Sequence, residues 1–381
     1  MSRYIYADNA ATTKLNMAAF EAMKPFLIND FSNPSQPYSF SRASKKAIKK
    51  SREIIANCIG AEPNEIYFTS GGTESDNWAI KRFSSSADSK VIITSNIEHH
   101  AVLNACESVR NKADINYLCV DEKGRVNDSE LESLLLSMNQ GSCPSCRSIL
   151  VSVMLANNEI GTIQDIGSLA NVAHKYGATF HTDAVQAVGH IDIDVKKLNV
   201  DLLSASAHKF NGPKGIGFLY IKKGTLIEPY INGGHQEMGC RAGTENVASI
   251  VGMAVALQEN CKCIDQNQKH IAQLEQQLID GLDDFEIDYI RNGSENHLPG
   301  NINISIKGAS GEALLHRLDL MGICVSTGSA CDSVNNQVSH VIKAIKVPEE
   351  YAEGTIRISL GRENTPEEVD AISKALARIL I

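Results

Sequence analysis

The sequence predicts an α/β protein, with a mainly parallel sheet covered by helices on both faces and a smaller α+β unit after it. Two observations carry this. Seven short apolar runs alternate with helical patterns through the middle of the chain. Several runs are apolar on both alternations, as strands buried on both faces are. Strands are expected at 66–70, 91–95, 115–120, 149–155, 178–183, 202–207 and 217–221, which makes a seven-stranded sheet. The domain that holds it is expected over residues 14–255.

Residues 1–13 and 256–381 are expected to form the smaller domain. A polar, Gln-rich helical stretch opens its main part over 260–280. Strand-like runs follow at 298–306 and 354–360. The last helix has a defined start, with Thr365 as N-cap, Pro366 at the first helical position and Glu368 completing a capping box. Val369, Ile372, Leu376 and Ile379 recur behind it at helical spacing.

Composition sets outer limits. A chain of 381 residues with 43% hydrophobic content can bury a large core. A net charge of −9 argues against sequence-independent nucleic-acid binding, which needs a basic footprint. No stretch approaches the roughly 20 apolar residues of a membrane span. The N-terminus lacks the apolar run of a secretory leader, so a cytoplasmic location is expected. Ten cysteines are too sparse for a disulfide scaffold, and a reducing compartment keeps them as thiols. Cys143 and Cys146 have half the spacing of a zinc site, which needs four ligands, so no metal is expected.

Four segments carry chemistry. In Phe68-Thr69-Ser70-Gly71-Gly72-Thr73-Glu74-Ser75-Asp76 a strand ends, two glycines follow and a helix begins. Gly72 and Thr73 could bring unpaired N–H groups to a phosphate. Read alone, the segment is better taken as a plain strand–turn–helix junction in which Thr73 and Asp76 make a capping box, since glycine-rich turns are common punctuation. In Phe180-His181-Thr182-Asp183-Ala184-Val185-Gln186 a carboxylate ends an apolar strand, where α/β sheets bind ligands. Asp183 could hold a proton on a ring nitrogen and Gln186 could bond a ring oxygen; alone, Asp183 reads as a helix cap. In Ser204-Ala205-Ser206-Ala207-His208-Lys209-Phe210-Asn211-Gly212 a lysine follows an apolar strand. Desolvation lowers a lysine pKa and suits it to Schiff-base chemistry, although most lysines are solvated surface groups. The fourth segment, Ser326-Thr327-Gly328-Ser329-Ala330-Cys331-Asp332-Ser333, presents a thiol among small residues. A buried structural cysteine is the commoner state, but this polar loop is a poor place for one.

Together these segments resemble the fold-type I pyridoxal-phosphate enzymes, in their class V aminotransferase branch. Further segments narrow the resemblance to the cysteine desulfurases of the NifS/IscS group. They are Ala7-Asp8-Asn9-Ala10-Ala11-Thr12-Thr13, Glu98-His99-His100-Ala101-Val102, Asn157-Asn158-Glu159-Ile160-Gly161 and Arg241-Ala242-Gly243-Thr244-Glu245-Asn246. The matches run in order along essentially the whole chain. The resemblance implies pyridoxal 5'-phosphate held covalently by Lys209, with His99 stacked on its ring as acid and base. Asn158, Asp183 and Gln186 would bond ring or substrate. Gly72, Thr73, Ser206 and His208 would hold the phosphate. Thr244 would reach the phosphate of a partner subunit, which implies a homodimer. Cys331 would take sulfur from L-cysteine as a persulfide and pass it to an acceptor protein, leaving L-alanine. Asn33 and Arg357 would bind the substrate, Arg357 by a fork on its carboxylate. Arg362 is a weaker candidate for that contact. Iron–sulfur cluster assembly and thiolation are the acceptor processes implied.

The chain departs from the family pattern at Lys14, at Pro37-Tyr38, at His100 and at Asp332. Asp332 bears on chemistry, because a neighbouring carboxylate disfavours a thiolate and should raise the Cys331 pKa above about 8.5. Two other readings use the same residues differently. Another class V aminotransferase or lyase would need Lys209 and Asp183 but not Cys331. A catalytically silent sulfur-relay scaffold would need neither Lys209 nor cofactor.

Overall fold

A computed structural model describes residues 4–83, 89–139, 147–327 and 338–380. The chain opens with a short strand, β1 (Ile5–Tyr6), and two helices, α1 (Met17–Ile28) and α2 (Arg42–Ile59). Then strands and helices alternate: β2 (Ile66–Thr69), α3 (Gly72–Arg82), β3 (Ser89–Ser95), α4 (His100–Ser108), β4 (Asp114–Leu118), α5 (Asp128–Asn139), β5 (Arg147–Ser152) and α6 (Ile166–Lys175). They continue as β6 (Thr179–Asp183), α7 (Val195–Leu198), β7 (Leu202–Ser206) and β8 (Gly217–Ile221). All seven expected runs are strands, and their ends shift by only a few residues.

The seven strands lie in the order β2-β8-β7-β6-β5-β3-β4. β8 is antiparallel to both of its neighbours and every other pairing is parallel. Successive residues of one strand enter different cores. Ile93, Val151, Leu203 and Phe218 pack on one face; Ile92, Leu150, Leu202 and Leu219 pack on the other with Trp78 and Val102. Both faces are buried, which is why these strands read as continuous apolar runs.

Helix α8 (Val247–Lys262) lies against α1 and α2, and α9 (Ile264–Asp284) leaves it at 72°. The boundary expected at 255/256 falls inside α8; α8 packs on α1 and α2, and α9 packs on the last helix of the chain. The smaller unit holds β9 (Tyr289–Asn292), β10 (Asn301–Ile306), α10 (Gly311–Leu320), β11 (Ile323–Cys324), α11 (His340–Ala344), α12 (Glu349–Ala352), β12 (Thr355–Ser359) and α13 (Pro366–Leu380). β12, β10 and β9 form an antiparallel sheet, and β1 pairs in parallel with β11. Ile302, Ile304, Ile356 and Ile358 pack with Leu274, Leu278, Ile372 and Leu376 of α9 and α13.

The capping box of α13 is present: Thr365 N–H donates to Glu368 Oε2 at 3.3 Å and Glu368 N–H to Thr365 Oγ1 at 3.4 Å. The one expected at Thr73 and Asp76 is not. Gly71 caps α3 with φ of 151°, so Asp76 falls in the second turn and is buried. Glu74 takes the capping bond instead, from Ser70 N–H at 2.7 Å. No single described helix is long and apolar enough to cross a membrane.

Candidate active site

The edge of the large sheet fixes the site. β3, β5, β6 and β7 are parallel, and β2 shares their direction because two antiparallel pairings separate it from β7. Their C-terminal ends open on one crevice, where α/β sheets take ligands. A cavity of about 610 Å³ lies there. Gly72 and Thr73 follow β2, His99 follows β3 and Asn158 follows β5. Asp183 and Gln186 lie at the end of β6, and Ser206, His208 and Lys209 at the end of β7; Arg357 reaches in from β12. All of these line the one cavity.

The segment from Ala7 to Thr13 forms a wall. Lys209 Nζ donates to the carbonyls of Ala10 at 2.6 Å and Ala11 at 2.8 Å. Gln186 Nε2 donates to the Ala10 carbonyl at 3.0 Å. Thr12 Oγ1 meets His208 Nδ1 at 3.1 Å, and Thr13 Oγ1 donates to the His208 carbonyl at 2.8 Å. Asp8 pairs with Arg357 Nη2 at 2.9 Å, while Arg357 Nη1 donates to the Asn158 carbonyl at 2.9 Å. Arg357 Nε is buried without a partner, so the guanidinium keeps a donor for an anion.

Burial sets the charge states. It pushes Asp183 up to about 6, against a bond from Val185 N–H and the pull of Lys209. It also pushes Glu98 up to about 8. Burial and the charge of Asp183 raise Asp76 well above the usual carboxylate range, and its Oδ1 has no hydrogen-bond partner. His181, bonded to Ser152 Oγ at 2.8 Å and Ser204 Oγ at 3.0 Å, is held down to about 3 by burial.

His99 caps α4, its Nδ1 accepting from Ala101 N–H at 3.1 Å. That bond places the ring proton on Nε2. Burial and the neighbouring Lys209, His100 and His340 lower His99 to about 4, so the ring is neutral. His208 is lowered to about 4 by burial, Lys209 and Lys214. Lys209 and Lys214 make the glycine turn electropositive, and Gly71 leaves Ser206 Oγ 3.5 Å from where a Cβ would stand.

Asn33 and Thr244 do not line this cavity. Asn33 Oδ1 accepts from Ser35 N–H at 2.9 Å in a local turn, and Thr244 is exposed. Cys331, Asp332, Cys143 and Cys146 lie outside the described residues. Among the residues that the sequence reading of the site left out, Asp76 and His340 line the cavity, and Asp8 stands behind it on Arg357. Asp8 acts through Arg357, and Asp76 was read as a cap. His340 meets the Glu98 carbonyl at 3.0 Å.

The chain matches the family model of aminotransferase class-V over residues 5–372. It is 48% identical to a cysteine desulfurase IscS of Dictyoglomus turgidum, over all of this chain and 95% of that one. It superposes on a solved NifS-like protein with a TM-score of 0.91 and 37% identity, covering 99% of both chains. A solved structure of SspA in complex with cysteine is 35% identical with a TM-score of 0.81, over 95% of this chain and all of that one.

Proposed function

We propose, from the premise that this chain belongs to the class V aminotransferase family and stands among its cysteine desulfurases, that it holds pyridoxal 5'-phosphate on Lys209 and moves sulfur from L-cysteine to Cys331. The observation that supports this most is the gathering of a lysine, a buried carboxylate, a neutral imidazole, an electropositive glycine turn and an arginine in one cavity.

The donor set fits that cofactor. Gly72, Thr73, Ser206 and His208 would hold the phosphate, because helix-terminal N–H groups beside Lys209 and Lys214 favour an anion. Asp183 would face the ring nitrogen; a protonated ring there supplies a counter-charge and pulls the carboxyl back below its raised value. Gln186 and Asn158 would bond ring or substrate. When bound, the cofactor supplies an electron sink for charge that develops at the substrate Cα.

The protein's own residues do the rest. Arg357 takes the substrate carboxylate on its remaining donors. Lys209, whose amine stands in the cavity, removes the Cα proton. His99, neutral with its proton on Nε2, gives or receives the proton that moves with the sulfur. The Cys331 thiolate attacks the substrate sulfur, the Cβ–S bond breaks, and a persulfide remains on Cys331. Protonated at Cβ and Cα, the product leaves as alanine. A second chain completes the site by bringing Thr244 to the phosphate, and an acceptor protein takes the sulfur. A reducing cytoplasm would keep Cys331 as a thiol.

Incubation with L-cysteine followed by mass spectrometry tests this. One added sulfur on Cys331 and alanine in solution are expected. Cys331→Ser should keep the bound cofactor and form no persulfide. Alanine and sulfide at the wild-type rate from Cys331→Ser would overturn the assignment.

A further inference from the structure

The loop that carries Thr244 begins in a strained turn. Glu237, Met238 and Gly239 have φ of 46°, 57° and 80°, three left-handed residues in succession of which only the last is glycine. Such a turn persists only where its surroundings over-determine it. Here Glu237 is buried, and both of its carboxylate oxygens are taken by the Arg52 fork at 2.8 Å. Phe68 N–H donates to the same carboxylate at 2.9 Å, and the Arg52 guanidinium stacks 4.3 Å over the Phe68 ring. Four residues on, Arg241 grips Glu74 with bonds of 2.8 and 3.1 Å. Glu74 belongs to the first turn of α3, next to Gly72 and Thr73. The loop is thus tied to the strand that enters the glycine turn and to the helix that leaves it. Between these anchors and α8 it presents Gly243 and Thr244 to solvent.

We propose that Glu237 is a positioning residue for the neighbouring subunit: clamped by Arg52, it fixes the strained turn that, with Arg241, sets Thr244 against the partner's cofactor phosphate. This rests on the reading that Thr244 serves a second chain. Releasing the clamp frees the turn to relax, and Thr244 loses its fixed position. The loss falls on the partner's cofactor rather than on the subunit's own. Each phosphate site is then held partly by an ion pair that lies wholly inside the other subunit.

Heterodimers of two differently tagged chains separate the two sides. Lys209→Ala leaves one chain unable to form the Schiff base, so borohydride traps cofactor only on the other chain, where intact mass counts it after dialysis. With Glu237→Gln on the Lys209→Ala chain, the sole trapping site receives its Thr244 from the altered loop. Cofactor is expected to be lost about tenfold faster than from the heterodimer carrying Lys209→Ala alone, the effect of about one charge-assisted bond. With Glu237→Gln moved to the chain that keeps Lys209, loss should stay near that control. Equal loss in both arrangements, or no loss in either, overturns the inference. Thr244→Ala in the same two arrangements tests the reading beneath it. If Thr244→Ala acts across the interface and Glu237→Gln does not, only the clamp fails; if Thr244→Ala has no effect across the interface, the shared site fails. Should Glu237→Gln chains not assemble, Arg52→Lys keeps the charge, loses the fork, and gives the same two outcomes.

Discussion

Gly72 stands where a Cβ would meet Val185 Cγ2 at 2.5 Å, a distance that forces something to move. Val185 lies between Asp183 and Gln186, so any shift disturbs the ring end of the site along with the phosphate end. Gly72→Ala should therefore weaken cofactor retention, at a cost of roughly 1–3 kcal/mol for overpacking. Adding Val185→Ala should recover part of the loss, because it removes the atom in the way. Cofactor absorbance after dialysis of the single and double variants checks both. At this scale the sequence was informative where a side chain does the work at a strand end. Lys209 and Asp183 stand at the ends of apolar runs that read as strands, and the crevice at those ends locates them. It was silent where a backbone group does the work. The carbonyls of Ala10 and Ala11 that receive Lys209 lie 199 and 198 residues from it, and a carbonyl leaves no mark on residue type. Asp76 misled for a related reason. Its spacing from Thr73 suits a cap, and only the earlier helix start at Gly72 turns it inward.

Among the elements, α9 is pinned to the loop after β9 by one buried carboxylate. Glu275 bonds His297 Nε2 at 2.6 Å, Gly300 N–H at 2.6 Å, and Arg291. Burial pushes Glu275 up, but His297, Gly300 N–H and Arg291 outweigh it and leave the carboxyl below its usual range. The bond to Glu275 raises His297 above its ordinary value. The two shifts act on stability in opposite directions of pH. For His297, whose folded pKa is raised, the contribution is complete below its unfolded value of about 6.5 and fades as pH rises through the folded value. For Glu275, whose folded pKa is depressed, it is complete above about 4.3 and fades as pH falls through the folded value. His297→Gln should thus cost most between those limits, about 1 kcal/mol for a partly screened charged bond. Its deficit in Tm should narrow toward pH 9, and thermal melts across that range measure it. The elements themselves were largely legible. Seven strands and the cap of α13 follow from apolar runs and from Thr365, Pro366 and Glu368. The two-residue strands β1 and β11 were not, since two residues carry no period and their pairing joins Ile5 to Ile323.

For the whole molecule, the cavity takes residues from the large sheet, from the Ala7–Thr13 wall and from β12. A ligand that bridges them binds the folded chain alone and stabilises it by mass action. At a cofactor concentration a thousandfold above its Kd the gain is about 4 kcal/mol. The cofactor-loaded protein should therefore melt well above the stripped protein, and Lys209→Ala should lose most of that difference; paired calorimetric scans test it. The alternation of strand and helix through β8 was legible. The turn of 72° between α8 and α9 was not, because the sequence reading marked one helical stretch over 260–280 and only packing partners separate the two helices.

The pairing of β1 with β11, and of Asp8 with Arg357, also sets an order of events during synthesis. The N-terminal segment has two sets of partners. Gln186, His208 and Lys209 emerge with the large sheet, and the carbonyls of Ala10 and Ala11 can meet them as soon as that sheet forms. β1 and Asp8 wait for β11 and for Arg357 of β12. A nascent chain therefore half-closes the cavity early and completes it only when β12 follows.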